Sequence, residues 1–88
     1  MQLVLDGEKI CSREELHKQM ESVLGLPEWY GANLDALYDC LTELNEEVNI
    51  HILHIGSLKE KLGDYAGKLL LVLKDAEQVN LNIRVLMD

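Results

Sequence analysis

Asp35 and Asp39 stand four residues apart in the segment "LPEWYGANLDALYDCL", residues 26 to 41, which holds no basic residue. At that spacing the two carboxylates share one face of a helix, and their repulsion costs about 0.2–0.5 kcal/mol of helix stability. Such a pair could serve acid–base catalysis or bind something basic. Catalysis needs a cleft and a perturbing environment, and one helix face offers neither. Asp35 lies in the first turn of that helix, where the helix dipole favours an acid, but Asp39 is a turn further on and gains little. Trp29, Tyr30 and Tyr38 gather beside the pair, as binding anchors do. Core or rim packing is the competing reading for each ring, and a solvated acidic face is the competing reading for the aspartates.

The remaining reactive residues form weaker constellations. His51 and His54 are three apart in a predicted strand, so they point to opposite faces and make poor joint metal ligands. They read as partly buried strand histidines. His17 has only Cys11 or Glu21 as ligand partners near it in sequence. Cys40 borders an apolar stripe and reads as a small buried hydrophobe, against the rival reading of a Cys–His nucleophile. There is no HExxH, CxxC, P-loop or GxGxxG pattern. We therefore expect no catalytic residue, no metal site, no cofactor and no small-molecule substrate.

Periodicity and capping signals place these residues on definite elements. Leu3–Leu5 before Asp6-Gly7 predicts a short strand ending in a turn. Ser12 and Glu15 form a capping box, and Leu16, Met20, Val23 and Leu24 follow at helical spacing. A first helix from about 13 to 24 should stop at Gly25, with Pro27 beyond. Asn33 is a suitable N-cap for a second helix with the stripe Leu34, Leu37, Leu41 and Leu44. Asp35, Tyr38, Asp39 and Thr42 then lie on the opposite side. Val48–Ile55 reads as a strand that is nearly apolar on both faces, as a central parallel strand tends to be. Gly56-Ser57 should cap a short helix to about Leu62, followed by a helix from about Asp64 to Val79 and a last strand, Ile83–Met87. The expected fold is α/β, a small three-stranded parallel sheet packed with about four helices.

At 88 residues the chain should be one domain, 1–88. Its formal net charge of −8 argues against the basic patches of a nucleic-acid binder and against an anionic membrane. A basic partner fits. No Lys or Arg occurs between Lys18 and Lys59, whereas seven acids do, so one negative field should cover that surface. No signal-like or membrane-spanning run is visible, and two cysteines without a leader suggest reduced thiols in a cytoplasm.

The segment from Leu26 to Leu41 resembles the barstar family, following its pattern of Leu-Pro-x-aromatic-Tyr-Gly-x-Asn-Leu-Asp-Ala-Leu-aromatic-Asp-Cys-Leu. "DGEKICSREELH" is similar to the family's N-terminus, and "LLLVLKDAEQVNLNIRVL" to its last helix and strand. The resemblance covers nearly the whole chain and is weakest from about 45 to 65. It implies an intracellular inhibitor, of the antitoxin or immunity kind, for a small basic bacterial ribonuclease (barnase-like). The family fold is again three parallel strands and four helices.

Carried onto this chain, the resemblance implies that Trp29, Gly31, Asn33, Asp35, Tyr38, Asp39 and Asp75 contact the ribonuclease. Asp39 would mimic a substrate phosphate, Asp35 would accept hydrogen bonds beside it, and Trp29 would cover a catalytic histidine. Trp29 and Tyr38 keep an aromatic where the prototype has a different one. Asp75 is one methylene shorter than the usual glutamate, and Leu44 replaces a contacting tryptophan. An acidic module for another basic protein or toxin is the alternative.

Overall fold

Leu3 and Leu5 are fully buried while Gln2 and Val4 are exposed, the two-residue period of a strand with one covered face. The same alternation recurs at Val48, Ile50 and Ile52 and again at Ile83 and Val85. The computed structural model describes residues 1–27 and 30–87. Among these, β1 (Gln2–Asp6), α1 (Arg13–Leu24), α2 (Leu34–Thr42), β2 (Val48–Leu53), α3 (Ile55–Leu62), α4 (Asp64–Val79) and β3 (Ile83–Met87) follow in order. The strands lie β1-β2-β3 and both pairs are parallel. Leu3, Ile50 and Val85 form one buried row across the sheet. The neighbouring row, Val4, His51 and Leu86, lies on the other face and is exposed or half-exposed. β2 is thus central, as expected, but apolar side chains cover it fully on one face only.

Local chemistry sets the helix ends. Ser12 Oγ accepts from the Glu15 N–H at 3.2 Å, and Glu15 Oε2 accepts from the Cys11 N–H at 3.0 Å. The return bond of this capping box therefore falls one residue before the cap. α1 stops where Gly25 turns left-handed, at φ 63° and ψ 43°. α4 packs against α2, α3 and β3, burying Ala66, Leu69, Leu73 and Ala76.

The expectation for Ile55 and Gly56-Ser57 needs correction. β2 ends at Leu53, His54 is the cap residue at φ 55° and ψ 54°, and α3 begins at Ile55. A β-branched Ile55 prolongs the strand pattern in sequence, but pairing with β1 ends at Asp6 and Leu53. Gly7 makes the turn possible. A Cβ there would lie 2.2 Å from the His54 carbonyl oxygen and 2.9 Å from the Leu58 nitrogen. No helix of the described residues is long and apolar enough to cross a membrane.

Candidate functional site

The loop before α2 closes on its own cap. Asn33 Oδ1 accepts from the Ala36 N–H at 2.8 Å, and its Nδ2 donates to the Gly31 carbonyl at 3.3 Å. Ala32 sits at φ 51°, a left-handed conformation that costs a non-glycine residue about 1–2 kcal/mol. A Cβ on Gly31 would come within 2.8 Å of Asn33 Nδ2, so a side chain there would press on the cap. Gly31, Ala32 and Asn33 are all exposed. Glu28 and Trp29 lie outside the described residues, and so does the expectation that Trp29 is a contact.

Past the cap, α2 turns Leu37, Cys40 and Leu41 inward and leaves Asp35 and Asp39 exposed, with Tyr38 half-buried. Because α2 packs on α4, Asp75 and Val72 join them. Leu34, Asp35, Tyr38, Asp39, Val72 and Asp75 line one groove of about 410 Å3. Among the described residues, none of the three carboxylates has a hydrogen-bond or ion-pair partner. Three acids thus surround an apolar strip of Leu34, Val72 and the Tyr38 ring. The far end of α2 is held as well: the buried Asn80 donates through Nδ2 to the Leu41 and Leu44 carbonyls, each at 2.9 Å. Leu44 is half-buried and packs against the core.

The expected uniform negative field does not hold. A second cleft, of about 500 Å3, shares Leu34 and Asp35 with the acidic groove and is also lined by Arg13, Asn33, Asp64, Tyr65 and Lys68. The bases come from α1 and α4, outside the base-free stretch of sequence, and packing brings them beside Asp35. The Arg13 guanidinium lies 4.2 Å from the centre of the Tyr65 ring.

Tyr30 is not on the surface with Tyr38. It is buried in the core, with its hydroxyl hydrogen-bonded to His17 Nδ1. The other ring nitrogen, Nε2, bonds the Tyr65 hydroxyl at 2.6 Å. His17 is itself buried, and burial holds its pKa below the ordinary 6.5. Burial pushes the Tyr30 hydroxyl up, with smaller contributions from Tyr65, Cys40 and Glu21. Nothing in the sequence spacing joins residues 17, 30 and 65; the only local signal was an unpaired polar His17 beside the apolar stripe of α1.

The remaining candidates are structural. Cys40 is buried, and burial above all, then Glu43 and Asp39, pushes its thiol up and away from the reactive thiolate. His54 is exposed at the head of α3, which overturns the reading of it as a strand histidine. Its Nδ1 lies 2.9 Å from Asp6 Oδ1 and its Nε2 lies 3.2 Å from Glu8 Oε1. The three residues offer ligand atoms within 4.8 Å of one another, but both ring nitrogens already face a carboxylate.

Comparison with known proteins agrees with this geometry. The family model described as "Barstar (barnase inhibitor)" matches residues 1–87. A Bacillus subtilis (strain 168) protein named "Putative ribonuclease inhibitor YrdF" is 32% identical over 77 residues, which cover 86% of this chain and 85% of its own length.

Proposed function

The chain belongs to the barstar family, and from that premise we propose that it inhibits a small basic ribonuclease by filling the enzyme's active-site cleft with α2 and the loop before it. The observation that carries this reading is the α2–α4 groove, where Asp35, Asp39 and Asp75 converge and, among the described residues, no side chain bonds their carboxylates. A ribonuclease cleft presents Arg, Lys and His side chains that hold phosphate. Asp39 enters as a carboxylate in place of a phosphate, and Asp35 accepts hydrogen bonds at its edge. Trp29 covers a catalytic histidine, Gly31 and Asn33 bring the loop backbone close, and Tyr38 with Leu34 and Val72 excludes water. Asp75 supplies a third acid from α4. The inhibitor acts in the cytoplasm of the cell that makes the enzyme.

Magnitudes favour binding over the internal cost. Repulsion between Asp35 and Asp39 takes a few tenths of a kcal/mol from α2. Charge-assisted bonds made where water is excluded are roughly twice as strong as neutral ones. The barnase–barstar complex is itself a standard case of such coupling across an interface. Titrating the protein into barnase and a panel of other small basic ribonucleases tests the proposal. One-to-one inhibition, competitive with RNA, is expected for at least one enzyme. If none is inhibited at micromolar concentration, the groove serves another basic protein.

A further inference from the structure

His17 grips the docking loop from behind. Its two ring nitrogens bond the Tyr30 hydroxyl in the loop and the Tyr65 hydroxyl in the first turn of α4. Tyr30 is followed directly by Gly31, Ala32 and the Asn33 cap. We infer that His17 is a positioning residue for this loop, a neutral imidazole that ties Tyr30 to Tyr65 and sets where Gly31 and Asn33 are presented, and that protonating it weakens the hold on the ribonuclease. The inference rests on the loop being part of the inhibitory surface.

The chemistry follows from donor counts. A neutral imidazole has one donor and one acceptor, so one tyrosine donates to the ring and the other accepts from it. Protonated, the ring donates at both nitrogens, and the tyrosine that had donated must turn its hydrogen elsewhere. Tyr30 is only 7% exposed, and among the described residues its hydroxyl has no second partner. The ring's own titratable partners are Tyr30 from the loop and Tyr65 from α4; behind them lie Arg13 from α1 at the Tyr65 ring, and Glu21 from α1 and Cys40 from α2 near Tyr30. Among the described residues only the two tyrosines bond it, so no bonded carboxylate offsets a buried charge. The sign is that of a base held below its ordinary pKa of 6.5. The arrangement is intact above that pH and is lost as the pH falls through the lower folded value.

The experiment compares the parent with His17→Gln, whose amide can donate to one tyrosine and accept from the other without titrating. Inhibition of barnase is measured from pH 7.5 down to the lowest pH at which both proteins stay folded, and the parent-to-variant ratio cancels the enzyme's own titration. Toward the acid end the parent should lose about three- to tenfold relative to the variant, the scale of one hydrogen bond. Backbone amide resonances of residues 30–33 should show the same step in the free parent and none in His17→Gln. Should His17→Gln not fold, Tyr65→Phe replaces it: losing the Nε2 partner should move the loop resonances and shift the midpoint of the pH step. A constant ratio, together with loop resonances that ignore pH, would overturn the inference and leave His17 a core residue. If no ribonuclease is inhibited at any pH, the proposed function fails, while the loop resonances still decide the role of His17.

Discussion

Asp6 and Glu8 at the junction of β1 and α3, and Asp35, Asp39 and Asp75 in the α2–α4 groove, are the same chemical groups in opposite circumstances. The first pair faces His54 at 2.9 and 3.2 Å, and Asp6 also accepts from the Glu8 N–H at 2.9 Å. Among the described residues, the second set has no hydrogen-bond or ion-pair partner. Exposure does not separate them, since members of both groups reach solvent. Where a carboxylate bonds a side chain of the fold, it closes a junction; the groove acids keep their bonding capacity, which the proposed function assigns to a basic partner.

The largest test of that contrast is Asp39→Ala. Truncating one side of a desolvated charge pair, for which barnase–barstar is the standard example, should weaken inhibition by at least about 2 kcal/mol, roughly thirtyfold. The free protein loses a like-charge contact and gains a better helix former, so its stability should hold level or rise by a few tenths of a kcal/mol. Urea melts and inhibition titrations on one preparation read both. An unchanged inhibition constant, or a much earlier melt, would make the groove structural.

Ionic strength sharpens the comparison next. Association with a basic ribonuclease should slow at least about tenfold between low and physiological salt, with dissociation changing less. Stopped-flow rates that stay flat would remove steering by the acidic face. A smaller effect is expected from Asp75→Glu, which restores reach from α4. Inhibition of barnase should hold or improve by no more than about fivefold, the scale of an exposed ion pair. A marked weakening would mean that the natural target is shaped for aspartate.

The smallest effect belongs to the paired group. The Glu8 N–H first, then His54, holds the Asp6 carboxyl below its ordinary 3.8. Its contribution to stability is therefore present above that pH and lost as the pH falls through the lower folded value. Asp6→Asn should lower stability slightly at neutral pH and flatten its decline in acid, with inhibition untouched. A variant that melts like the parent but inhibits less would erase the distinction between the two regions.

Where side chains talk to neighbours a few residues away, the chain was readable. α1, α4 and β3 begin and end where their caps and alternation say, and Asn33 caps α2 as its type predicts. The errors came where distant segments decide. Tyr30 reads from sequence as either an anchor or a core ring, and His17 with Tyr65 draws it into the core. His54 looked like strand because Ile55 follows it, but β1 ends opposite Leu53. The base-free stretch looked like one negative field until Arg13 and Lys68 were placed beside Asp35.

By itself, then, the sequence determined the order and bounds of most elements, the outward face of α2 with its two aspartates, and the apolar residues that form the core. These rest on the strand and helix periods and on caps, all of which act within one or two turns. Only the tertiary structure decided that Asp75 joins Asp35 and Asp39, that two bases rim the same surface, and that His17 sits between the two tyrosines. Those contacts join residues 13 to 48 positions apart, and they depend on how helices pack across the sheet, which no local period encodes.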